Sequence, residues 1–148
     1  MKYLGYTIWK KLLIISEPSI KRFKDKIRAI TKRSRGVSLE KVIAEINKII
    51  PGWIQYYKLA SCRKKLEKLD GWLRRKVRCY RLKQLKRTYT IAMTLRKMGV
   101  PEGSAWMLAK SGKGCWRLSN TPQVNMAMNL KWFEQQGLKS LLGVYKSL

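Results

Sequence analysis

The chain has 148 residues, 45% of them apolar, which suffices for a buried core, excludes wholesale disorder and suits one compact domain or two small subdomains. Its 34 lysines and arginines stand against 8 acids and no histidine, a formal charge of +26. Self-repulsion on that scale makes a polyanion the natural partner, and the lack of histidine excludes Ser-His-Asp and Cys-His nucleophile activation.

Tyr3 to Ile15 are rich in aromatic and β-branched residues around Gly5, which predicts a short hairpin or a pair of strands. The apolar run Leu12–Ile15 is too short for the core of a signal peptide and no small-residue cleavage site follows it. Nothing approaches the roughly 18 apolar residues of a membrane span, so a soluble, cytoplasmic protein is expected. Ser16, Glu17 and Pro18 then open a helix. Ile20, Phe23, Ile27 and Ile30 line one face of it, and Lys21, Arg22, Lys24, Lys26 and Arg28 occupy the others. Lys32, Arg33, Ser34, Arg35 and Gly36 read as a basic loop. Ser38 caps a second helix with its stripe at Leu39, Val42, Ile43, Ile46, Ile49 and Ile50, which Pro51-Gly52 should kink or interrupt before Trp53, Ile54, Tyr56 and Tyr57 resume it. Leu66, Leu69, Trp72, Leu73, Val77 and Tyr80 define a third helix. Beyond about Tyr89 the pattern is less regular. Leu95–Met98 and Ala105–Ala109 read as short helices, Ser111–Gly114 as a stop, Asn120–Pro122 as a turn, and Val124–Phe133 as one further helix.

The acids are scattered, and ordinary roles explain them; Asp70, for example, stands four residues before Arg74 on one helix face. Glu67 and Asp70 are three apart, but the arginines around them disfavour a metal pair. Cys62, Cys79 and Cys115 form no CxxC pair and read as thiols in a reducing compartment. Ser-Gly-Lys-Gly at 111–114 lacks the full phosphate-loop spacing, yet its turn could accept a phosphate of a nucleic-acid chain. No catalytic residue, metal site or cofactor is expected.

The binding signal is stronger. Residues 74–87 read RRKVRCYRLKQLKR, with Arg74, Arg78 and Arg81 on one helical face. Arg75, Lys76, Lys83, Lys86 and Arg87 widen it, with no acid between Asp70 and Glu102. Such a strip releases condensed counterions from a phosphate backbone and binds it in a salt-sensitive way. Trp53 and Trp72 fall on apolar stripes and read as core, and Trp106 and Trp132 as packing for the later helices. Trp116, beside Arg117 and just past Lys110 and Lys113, is open to stacking on a base.

The segments SIKRFKDKIRAITKRSRGVSLEKVI, PGWIQYYKLA and LDGWLRRKVRCYRLKQLKR, followed by LRKMGVPEGSAWMLAKSGKGCWRLSNTPQVNMAMNLKWFEQQGLKSL, resemble the maturase-specific region of bacterial group II intron-encoded proteins. The opening YLGYTI is similar to the strand that ends the family's reverse-transcriptase palm. The resemblance implies a mainly α fold: the end of a palm-like hairpin over residues 1–16, a three-helix thumb over 17–88, and a helical extension over 89–148 packed on it. It also implies an RNA-binding role toward group II intron RNA that assists splicing, with the catalytic metals belonging to the RNA. The YADD palm motif and an endonuclease module are absent from the sequence, so no enzyme activity is expected of the chain by itself. The alternative is a thumb subunit of a split reverse transcriptase, holding an RNA–DNA duplex beside a separate palm and fingers chain. Basic amphipathic helices also allow an anionic membrane surface, a reading that the well-specified helical core disfavours.

Overall fold

The computed structural model describes residues 2–3, 6–9, 12–32, 35–58 and 62–147, and only the backbone up to residue 14. Ahead of the helices the backbone forms three short antiparallel segments in the order β1 (Lys2–Tyr3), β2 (Tyr6–Trp9) and β3 (Leu12–Ile15), with Thr7 opposite Ile14. The rest is helical, and the fold is mainly α.

Three helices form where apolar spacing places them. α1 (Glu17–Ile30) buries Phe23 and Ile27. Its N-cap, Ser16, bonds Ser19 Oγ at 2.8 Å instead of capping a backbone amide, and Thr31 closes the helix by donating to the Ile27 carbonyl at 2.8 Å. α2 (Leu39–Tyr56) starts on Ser38, whose side chain accepts from Lys41 N at 3.2 Å. It runs unbroken through Pro51, so the expected interruption does not occur. A proline inside a helix costs about 3 kcal/mol. Ile46, Ile50 and Ile54, at most 1% exposed, each contribute roughly 1.5–3 kcal/mol by staying in register. The proline loses because it falls off that buried stripe.

α3 (Arg63–Leu85) is the spine. Its first four turns bury Leu66, Leu69, Leu73 and Val77 in a core shared with α1 and α2, while Leu82 and Leu85 enter a second cluster. That second cluster gathers α4 (Thr88–Lys97), α5 (Glu102–Lys110), α6 (Cys115–Leu118) and α7 (Pro122–Ala127) around Leu95, Ala105, Leu118, Val124 and Met128. Trp132, on α8 (Leu130–Gln136), packs against both clusters. The single helix expected over Val124–Phe133 is therefore two. Asn129 breaks it, because its side chain accepts from Trp132 N at 3.0 Å and caps α8.

α9 (Leu141–Lys146), an element beyond those expected from spacing, packs against α2 and α3 and puts Leu141 into the first core. Two side chains hold it there. Asn47 on α2 donates to the Gly137 carbonyl and accepts from Lys139 N, both at 2.8 Å. Asp70 on α3 accepts from Ser140 Oγ at 2.8 Å, Leu141 N at 2.7 Å and Leu142 N at 3.0 Å. The surface pairing of Asp70 with Arg74 is thus replaced by a buried cap on a distant helix, which the negative charge suits.

Candidate nucleic-acid interface

The expected arginine stripe lies under the C-terminal segment. Arg78 donates from Nε to the Met128 carbonyl at 2.9 Å, and its guanidinium stands 5.1 Å from the Phe133 ring centre. Burial, with the like charge of Arg74 added, pulls its pKa down to about 10. Arg81 donates to Gln84 Oε1 at 3.3 Å and lines a groove with Trp132 and Gln136. Charge reversal at Arg78 therefore attacks the fold. Periodicity registers the spacing of these arginines but not the residues 115–140 that lie across them.

These constraints aim the arginines. Arg74, Arg75 and Arg78 line a groove of about 450 Å³ together with Trp72, Asn120 and Asn125. Arg74 Nη2 reaches back over Gly71, 4.0 Å from where a side-chain carbon would stand. Arg75 donates from Nη2 to the Trp116 carbonyl at 2.8 Å and from Nε to Ser119 Oγ at 3.4 Å. Its guanidinium lies 3.8 Å from the centre of the Trp116 ring. With Nε or Nη2 fixed, the remaining N–H groups of Arg75 and Arg78 are held in place before any ligand arrives. Less side-chain entropy is then lost on binding.

Cation-bearing tryptophans flank the groove. Lys24 Nζ and the Arg28 guanidinium, both from α1, sit 5.3 and 5.4 Å from the Trp72 ring centre, and Lys76 Nζ is 5.4 Å from that of Trp116. Trp72, expected in the core, is only partly buried and takes part in both core and surface. Trp116 is 40% exposed, the most open of the tryptophans described. Burial lowers the Lys76 pKa, and the like charges of Lys83 and Arg28 lower it further, so α1 and α3 crowd their cations on one side.

Past that crowd, the end of α3 and the loop before α2 border an open cleft of about 760 Å³ with Lys32, Lys83 and Lys86 in its lining and no acid among the described residues there. The other predicted cations are dispersed. Lys21, Arg22 and Lys26 are exposed on α1, Arg22 donating to Ser19 Oγ at 3.2 Å. Arg87, Lys110, Lys113 and Arg117 are exposed on later elements. Arg33 lies outside the described residues. Arg35 turns inward, holding both carboxylate oxygens of Glu45 and the Ile30 carbonyl. That pairing raises the Arg35 pKa and lowers that of Glu45. Arg35 is thereby a tie between loop and helix. The pair of Trp106 with Tyr89, ring centres 6.0 Å apart and Lys110 5.3 Å from the indole, was not foreseen as a surface feature.

Among the described residues no cluster of acids and cysteines has the makings of a metal site, and no helix is long and apolar enough to cross a membrane. The family described as group II intron, maturase-specific domain, matches residues 20–99. The chain belongs to that family. The match covers just over half of this maturase-specific chain, from α1 through α4, and contains Trp72, the arginines of α3 and the lysine cleft. Trp116 and the helices from α5 onward lie beyond it. No curated protein matches the sequence.

Proposed function

We propose that this maturase-related chain binds folded group II intron RNA and stabilises its splicing-competent form without itself catalysing a reaction. The observation that carries this reading is the preorganised arginine groove of α3, with a cation-bearing tryptophan on either side. Arginines fixed by Trp116 and Met128 suit phosphates that approach in a defined geometry, since a guanidinium fork can bond two oxygens at once. The indole rings suit unstacked bases, the part of a structured RNA that a protein can read. Membership of the maturase-specific family supports intron RNA as the polyanion.

The test is equilibrium binding of the full chain to a transcribed group II intron across a salt series. Six phosphate contacts, one each for Lys24, Arg28, Arg74, Arg75, Lys76 and Arg78, predict a fall of about 10³-fold between roughly 50 and 200 mM salt. Changing Lys24, Arg28 and Lys76 together to glutamine, which spares the bonds that Arg75 and Arg78 make to the fold, should weaken binding and flatten that slope with the melting temperature preserved. Affinity indifferent to salt, or unchanged in that variant, overturns the assignment.

A further inference from the structure

We infer that the lysine cleft is a pocket for one unpaired nucleotide of the bound RNA, held by its phosphate and accepted whatever its base. The inference rests on the RNA-binding reading and adds a site to it. Space is the first argument. About 760 Å³ is far more than a lone phosphate fills and within the range of pockets that hold a small organic ligand. A duplex is too wide to enter, so what enters is a residue turned out of a helix, loop or bulge.

Charge is the second argument. Lys32, Lys83 and Lys86 approach the cleft from the loop after α1 and from the end of α3, and among the described residues of the lining no acid neutralises them. Lysines near a helix C-terminus also complement its dipole, α3 for Lys83 and Lys86 and α1 for Lys32, but the dipoles do not account for two helix ends turning their lysines into one cleft.

The walls decide selectivity. The Tyr80 hydroxyl and the Gln84 amide nitrogen both donate to the Val37 carbonyl, and Gln84 Oε1 accepts from Arg81. These groups are occupied in holding the loop to α3, and little is left to read the edge of a base. The ammonium groups remain, and they recognise phosphate.

The rim supplies an independent sign. Lys86 has φ 55° and ψ −60°, the only non-glycine with positive φ among the described residues, closed by a 2.6 Å bond from Arg87 N to the Leu85 carbonyl. This tight γ-type turn is strained for a residue with a side chain. Strain of that kind concentrates where a binding group must be aimed, and here it sets the third lysine at the mouth.

The probes are a stem-loop RNA with one bulged nucleotide and the same stem fully paired, bound to the full chain in matched salt. The bulged stem should bind on the order of tenfold tighter, and exchanging the bulged base should change affinity by less than about threefold. The Lys32→Gln, Lys83→Gln, Lys86→Gln variant should lose that preference, the ratio of the two affinities falling to about one, because its loss falls on the bulged stem far more than on the paired stem held by the arginine groove. Equal wild-type affinity for the two stems overturns the pocket and leaves RNA binding standing, as does a variant that weakens both stems equally. A variant that melts earlier yet keeps the bulge preference assigns the lysines to the helix end and also overturns it. A chain that binds neither stem nor intron RNA fails at the level of the proposed function.

Discussion

Replacing Asp70 by alanine isolates the interaction that closes the fold. The carboxylate is 5% exposed and accepts three hydrogen bonds, two of them from the first backbone amides of α9. Hydrogen bonds to a charged group are worth about 1.5–3 kcal/mol each when buried. Ser140 is exposed and turns to water in the variant, and Leu142 N is partly accessible, so only the bond to Leu141 N is lost at full cost. The loss is capped by a second route, in which α9 detaches. That route gives up the burial of Leu141, at 0% exposure, or roughly 1.5–3 kcal/mol, together with the lesser contacts of its neighbours. Both routes place Asp70→Ala about 2–4 kcal/mol below the parent. Asp70→Asn keeps one acceptor oxygen for Leu141 N but turns an amide toward another donor, and should cost about half as much. Urea unfolding followed by far-UV circular dichroism measures the midpoints, and hydrogen exchange at 138–146 tells detachment from global loss. A double-mutant cycle with Ser140→Ala should show coupling. A loss below about 0.5 kcal/mol for Asp70→Ala, or an asparagine variant weaker than the alanine one, refutes the buried cap.

Arg78→Ala strands the Met128 carbonyl and should cost about 1–3 kcal/mol of stability; a variant that loses intron affinity with an unchanged unfolding midpoint would show that the residue serves the ligand alone. Pro51→Ala restores a backbone donor to α2 and should raise stability by about 1–2 kcal/mol after allowing for the looser unfolded chain, and a lowered melting temperature would mean that the helix needs the proline. Burial raises the thiol pKa of Cys62 and of Cys79. Folded protein then holds protons that unfolded protein releases above pH 9, the ordinary thiol value. Stability from these groups is therefore complete below that pH and falls as pH rises through it. Cys62→Ala with Cys79→Ala should flatten that alkaline decline in a pH series of unfolding midpoints, and an identical decline would assign it to other groups.

Apolar spacing made α1, α2 and α3 legible because their stripes are long and each buries a continuous face. It failed where one residue outweighs a pattern. Asn129 splits a helix by capping its second half, and Ser140 starts α9 with help from a carboxylate 70 positions away, an arrangement no local window contains. The cationic character of α3 was equally plain, but charge runs do not tell which side chains are held. Arg75 and Arg78 sit half under the C-terminal helices, Arg35 is tied to Glu45, and Lys24 and Arg28 cross to Trp72 on another helix. Trp72 has the spacing of a core residue, and spacing alone assigns it there. Its second role follows from the cations of α1 above its ring, a contact across sequence.

The cap on α9 also orders events in time. Helices α1 to α3 can meet through short connections, whereas Asp70 waits for a partner whose arrival closes a loop of about 70 residues. Until then a half-built bundle carries a carboxylate in an apolar setting beside the gap reserved for Leu141, a state prone to sticking to its own kind. Stopped-flow folding should accordingly separate into a fast phase reported by Trp53 and a slower docking phase that Asp70→Ala alters. Arg78 is fixed in turn by a carbonyl of the second cluster, so the groove is complete only when both cores have formed.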